Sequence, residues 1–110
     1  VNDAKAILWL AIEDYSGLWE AAWQLQADHP DFDSTQTAKR AKSVVNELLE
    51  RGFVRLYRCQ EPYGELSVID NGQVPEVLAE PANWNEPGPE SISIRFSATP
   101  AGEEAIRSWA

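Results

Sequence analysis

The chain has 110 residues, 44% hydrophobic and 25% charged, and a net charge of −9. That length supports one domain around one core, and the composition excludes wholesale disorder. One cysteine, Cys59, and one histidine, His29, exclude an internal disulfide and a Cys/His structural zinc site.

The first helical block runs from Asp3 to Ala27. Ala4, Ile7, Leu8, Ala11 and Ile12 recur at helical spacing, and Trp9 and Leu10 widen the stripe until little polar face remains. Asp14-Tyr15-Ser16-Gly17 reads as a break, with Ser16 the expected N-cap of a second helix. That helix carries Leu18, Trp19, Ala22, Trp23 and Leu25, with Trp19 and Trp23 four apart and expected on one face. After the loop Asp28 to Phe32, Asp33 and Gln36 have the form of a capping box and predict the start of a third helix. Its expected buried stripe is Ala38, Ala41, Val45, Leu48 and Leu49, and Gly52 supplies the positive-φ residue that ends it.

Phe53 to Cys59 reads as a strand, with Arg55 and Arg58 on opposite faces. Ile92, Ile94, Phe96 and Ala98 alternate with polar residues, the period of a half-buried strand. Thr99-Pro100 then opens a short last helix carrying Ala101, Ala105, Ile106 and Trp109. The stretch between the strands holds five of the seven prolines. In it Asn71-Gly72 predicts a two-residue hairpin turn, and Val77 to Glu80 either continues the hairpin or forms a helical turn opened by Pro75. Pro81 to Glu90 reads as irregular, with Trp84 pinning it to the body.

Helix, helix, long helix ending in glycine, strand, long hairpin, strand and helix is an order that resembles the winged helix-turn-helix superfamily. Glu47-Leu48-Leu49-Glu50-Arg51-Gly52-Phe53-Val54 resembles the end of a recognition helix entering the first wing strand. Phe96-Ser97-Ala98-Thr99-Pro100-Ala101-Gly102 is similar to the join of the last wing strand and the closing helix. Small bacterial regulators of the MarR and PadR kind share both phrases. The resemblance implies one α+β winged-helix domain over residues 1–110, with three N-terminal helices, a long hairpin wing and a C-terminal helix. Residues 61–90 would be an extended acidic wing insertion, longer than is usual in the family.

Two electrostatic patterns conflict. Between residues 39 and 58 six cations face Glu47 and Glu50, a net of +4, which leaves −13 on the remainder. Gln36, Lys39, Arg40 and Ser43 fall on the face opposite the expected stripe, in the first half of the helix, and Lys42 lies at its border. Those residue types at that place suit base reading in a major groove. Lys42, Arg55 and Arg58 would then contact phosphates, provided that they face the same side. Exposed helix faces also carry such residues for solubility alone. The wing segment, by contrast, holds seven acids and no cation, which repels phosphate and weakens binding that draws on counterion release.

Two functions are therefore expected: a non-catalytic DNA-binding regulator or, alternatively, an acidic protein-interaction module whose wing meets a basic partner. Trp9, Trp19, Trp23 and Trp109 either fill the core or form a shared apolar face for partners, including a second copy of the chain. His29 reads as a solvated loop histidine and Cys59 as a buried small hydrophobe. Asp28, Asp31 and Asp33 lack the glycine and terminal glutamate of a calcium loop. The expectation is no enzyme activity, no cofactor and no metal. The only apolar run near the start, Ala6 to Ile12, is too short to span a bilayer, so a cytoplasmic location without membrane contact is expected.

Overall fold

The computed structural model describes residues 2–13, 15–61 and 65–109. Among these the chain forms, in order, α1 (Asp3–Glu13), β1 (Ser16–Gly17), α2 (Leu18–Asp28), α3 (Ser34–Glu50), β2 (Val54–Gln60), β3 (Glu65–Val68), α4 (Val74–Ala79), β4 (Ile92–Ala98) and α5 (Pro100–Ser108). Short 3-10 turns at Asn71–Gln73 and Pro81–Trp84 flank α4. The strands make one antiparallel sheet in the order β1-β4-β2-β3. Among the described residues no helix is long and apolar enough to cross a membrane.

Local chemistry sets the ends of the elements. Asp33 accepts from the Gln36 backbone N–H (2.8 Å), and the Gln36 side chain accepts from the Asp33 N–H (2.9 Å), so the capping box is complete in both directions. Gly52, at φ +74°, ends α3 in the left-handed region. Thr99 caps α5 by accepting from the Gly102 N–H (3.1 Å), with Pro100 in the first turn. Ser16 does not cap α2. It lies in β1 opposite Phe96, and its hydroxyl donates to the Leu10 carbonyl (2.9 Å), while Gly17 holds the cap position without a side-chain bond. Asp14, read with Ser16 as part of that break, lies outside the described residues.

The core lies between one face of the sheet and the first three helices. Val54, Leu56, Ile94 and Phe96 meet Ile7 and Leu8 of α1, Leu18 and Leu25 of α2, and Ala41, Val45 and Leu48 of α3. The α1 helix touches α2, α3, α5, β1 and β4, which accounts within one chain for its nearly all-round apolar sequence. Only Trp9, 52% exposed, is left out as a large apolar side chain of that helix.

Two expected stripes are rotated. In α3 the buried line is Thr37, Ala41, Val44, Val45 and Leu48, while Ala38 is exposed and Leu49 half-buried. In α2 it is Leu18, Trp19, Ala21 and Leu25. At 3.6 residues per turn, Trp23 then points away from the core and is 56% exposed. Trp19 is buried, and the Arg95 guanidinium lies over its ring at 5.1 Å.

The stretch after β2 departs most from expectation. The chain does turn back, because β3 pairs with β2 from Tyr57↔Val68 to Gln60↔Glu65, but its connection includes residues 62–64, outside the described residues. Asn71-Gly72 makes no hairpin; it lies in a 3-10 turn leading into α4, with Pro75 in the first turn. Packing explains the outcome, since Ile69, Val77 and Leu78 are all buried in the core cluster and a free hairpin would leave them in water. Trp84 does pin this segment, donating its indole N–H to the Leu78 carbonyl (2.9 Å).

Two glycines carry different constraints. A Cβ on Gly102 would overlap the Phe53 carbonyl, whereas at Gly52 the space is open and only the positive φ opposes a side chain. Gly102→Ala should therefore cost about 3 kcal/mol through overpacking against backbone. Gly52→Ala should cost about 1 kcal/mol through backbone strain. Chemical denaturation of the two variants checks this order.

Candidate functional site

The expected base-reading residues lie on the outer side of α3, but they do not act as one set. Gln36, Lys39, Arg40, Lys42 and Ser43 are all exposed. Gln36 is already engaged in the capping box. Because the buried stripe has moved toward Val44, Arg40 sits on one flank of the helix and Lys42 on the other. Arg40 turns back to α1, where its Nε donates to Asp3 Oδ2 (2.7 Å). On β2, Arg55 and Arg58 point to opposite faces of the sheet, as the strand period requires. The two arginines therefore do not share one face of the sheet. Arg58 lies on the same sheet face as Val54 and Leu56 and donates weakly to Gln73 (3.5 Å), and Arg55 points the other way, beside Tyr57.

Asp3 is a junction that its place in the sequence did not announce. It is only 5% exposed and binds Arg40 through one oxygen and His29 Nε2 through the other (2.8 Å). An ionised carboxylate only accepts, so His29 carries its proton on Nε2. His29 also stacks on Phe32, ring centroids 4.4 Å apart and nearly parallel. It is a structural pin between α1 and the loop before α3, not a solvated loop histidine. Gln26 closes the same loop: its amide donates to the His29 and Phe32 carbonyls and its oxygen accepts from the Thr37 hydroxyl. Burial pushes the Asp3 carboxyl up, but the hydrogen bonds and charges of Arg40 and His29 together outweigh it and hold its pKa below the ordinary carboxylate range.

A second, half-buried ion pair lies on the other sheet face. Glu61 accepts from Arg95 (2.5 Å) and from the Ser93 hydroxyl (2.8 Å). The Arg95 bond, then the Ser93 bond, hold the Glu61 carboxyl below its ordinary pKa. Among the described residues no three metal-ligating side chains come together. Cys59 is buried and unpaired.

One concave feature has no counterpart in the sequence reading. A groove of about 510 Å3 runs between α2, α3 and the α4–Trp84 segment. Trp23 and Trp84 both line it, together with small side chains such as Ala22, Ala38 and Ala79. Lys39 and Lys42 stand at its α3 side, and the groove continues past them into a cleft shared with Ser43, Asn46, Pro75 and Leu78. No carboxylate lines either part among the described residues. The sequence signals were Trp23, the two lysines and the alternative of a helical turn opened by Pro75, which α4 bears out; nothing local placed Leu78 and Trp84 beside α2 and α3. Comparison of the chain with protein-family models, curated proteins and solved structures gives no match.

The Asp3 junction has a pH signature. A depressed folded-state pKa stabilises the fold above the unfolded pKa, and that contribution is lost as pH falls through the folded value. Asp3→Asn should cost about 2 kcal/mol near neutral pH. The gap from wild type should shrink as pH drops below about 4. Urea denaturation across the acid range checks both the size and the sign.

Proposed function

We propose that this domain is a non-catalytic protein-interaction module of winged-helix shape whose partner is a basic protein. The helix and strand order, with α3 ending at Gly52 and β4 entering α5 through Thr99-Pro100, supports the winged-helix reading. The observation that carries the functional choice is the dispersal of the cations. Arg40 is held by Asp3, Arg55 and Arg58 face opposite ways, and α4 lies alongside the outer side of α3. A duplex approaching that side meets Glu76 and Glu80, both exposed on or beside α4. Residues 65–90 present six exposed carboxylates and no cation, a field that attracts a basic surface and repels phosphate. The lone histidine is engaged as a structural pin, which supports a function without catalysis.

DNA binding is the second reading, and exposed Lys39, Lys42 and Ser43 favour it. Fluorescence anisotropy with a pool of labelled duplexes, from about 20 to 200 mM salt, separates the two. The expected outcome is no binding at the lowest salt. Steeply salt-dependent binding that disappears in the Lys39→Ala, Lys42→Ala double variant would restore the DNA reading. On the protein side, zero-length carbodiimide coupling in the source cells should join Glu76 or Glu80 to lysines of one basic partner. Glu76→Lys with Glu80→Lys should remove that adduct; an unchanged adduct would count against the acidic surface.

The exposed Trp9 supports self-association through α1. The half-buried Trp109 packs against the core on the α5 side and adds little free surface. Sedimentation velocity should show a dimer that Trp9→Ser converts to monomer, and a monomeric wild type would remove this proposal.

A further inference from the structure

We propose that β3 accepts an extended segment of the basic partner as an added antiparallel strand at the free edge of the sheet. Two apolar side chains of that segment lie beside Leu66 and Val68, and a cation at each of its ends lies beside Glu65 or Asp70. The inference rests on the reading of a basic protein partner and states how that partner is held.

The backbone leaves this edge open. β3 stands last in the strand order β1-β4-β2-β3. Ile69, just beyond it, donates its N–H to the Leu56 carbonyl (3.0 Å), which fixes the phase of the pairing. Glu65 and Ser67 therefore turn their N–H and C=O groups toward β2, and Leu66 and Val68 turn theirs outward. Natural sheet edges are blunted by proline, lysine or a bulge. Glu65 to Asp70 contains no proline or lysine, and the pairing of β3 with β2 runs without a bulge.

The side chains select the segment. Leu66 and Val68 share the sheet face away from the helices with Tyr57, whose ring meets Tyr15 edge-on at 5.3 Å. Val68 is 52% exposed at the rim of this apolar strip, and an added strand sets every second side chain against it. On the opposite face Arg58 lies across from Ser67, so the partner residue that meets Ser67 is uncharged. Glu65 and Asp70 are exposed at the two ends of the edge. They attract lysine or arginine at the ends of the segment and repel an acidic one.

An NMR titration of isotope-labelled protein with the end-capped peptide Lys-Thr-Val-Thr-Val-Lys tests this. Laid antiparallel, the peptide sets its lysines opposite Asp70 and Glu65 and its valines opposite Val68 and Leu66. The Leu66 and Val68 amide signals should shift, and their hydrogen exchange should slow. The same peptide with Glu in place of both lysines should bind about tenfold more weakly. N-methylation of both valines should abolish binding, because those amides face β3, while N-methylation of both threonines should preserve it. Glu65→Lys with Asp70→Lys should reverse the preference between the two peptides; both side chains are exposed, so circular dichroism should show unchanged folding. No response at Leu66 and Val68, equal binding of the two peptides, binding that survives valine methylation, binding lost on threonine methylation, or an unreversed preference would each overturn the proposal. The peptide needs neither Glu76 nor Glu80, so its failure strikes the added strand alone, whereas a missing carbodiimide adduct strikes the wider reading of a basic partner.

Discussion

The fold turns on one backbone corner. The Phe53 carbonyl accepts from the Thr99 N–H (2.9 Å), the Thr99 hydroxyl donates to the Gly52 carbonyl (2.6 Å), and Gly102 packs on Phe53 where no side chain fits. This corner joins the exit of α3 to the entry of α5. It also places Val54 opposite Ala98, from which the whole β2–β4 register follows to Gln60 opposite Ile92. A slip of one residue would carry Leu56 and Phe96 to the wrong face. With that register set, Val54, Leu56, Ile94 and Phe96 form the sheet's share of the core, α1 packs on β4, α3 rests mainly on α1 and α2, and the direction of α3 decides where its lysines point.

Electrostatics then fastens the helices at their margins. Asp3 ties the start of α1 to the middle of α3 and to the loop before it, and Glu61 ties the end of β2 to β4. Both carboxylates are satisfied by more than one donor, the condition under which a buried charge is tolerable. These fixed arginines define the surface by subtraction. They leave Lys39 and Lys42 of α3, beside α4, and Arg55 of β2 as exposed cations without an ion pair among the described residues.

What the sequence revealed was what short stretches determine. The capping box, Gly52 and Thr99-Pro100 each depend on neighbours within a few residues, and each is found in place. The alternation of Ile92 to Ala98 holds only at Ile94 and Phe96, because Ile92 is exposed and Ser93 is buried beside Glu61. The failures have a common cause in distance along the chain. Asp3 and Arg40 are far apart in sequence, so nothing local marks Arg40 as a structural side chain. Asn71-Gly72 carries a strong hairpin signature, but the need to bury Ile69, Val77 and Leu78 overrides it. The rotated stripes of α2 and α3 follow from which side the sheet and α1 approach, which periodicity leaves open by one residue. The candidate groove was the least legible feature, since the helical turn opened by Pro75 could be read locally but its packing beside α2 and α3 could not.

Cys59 gives this architecture an internal clock. Its thiol is buried on β2, between Leu66 of β3 and Ser93 of β4. A thiol reagent reaches it only when the sheet opens at that point. Because β3 is an edge strand four residues long, the easiest route is for β3 to peel away while the β2–β4 pairing stays intact. The rate at which native protein is alkylated therefore measures the free energy of that local opening, separately from global unfolding. The chain carries a single-site reporter for the β3 edge of its sheet.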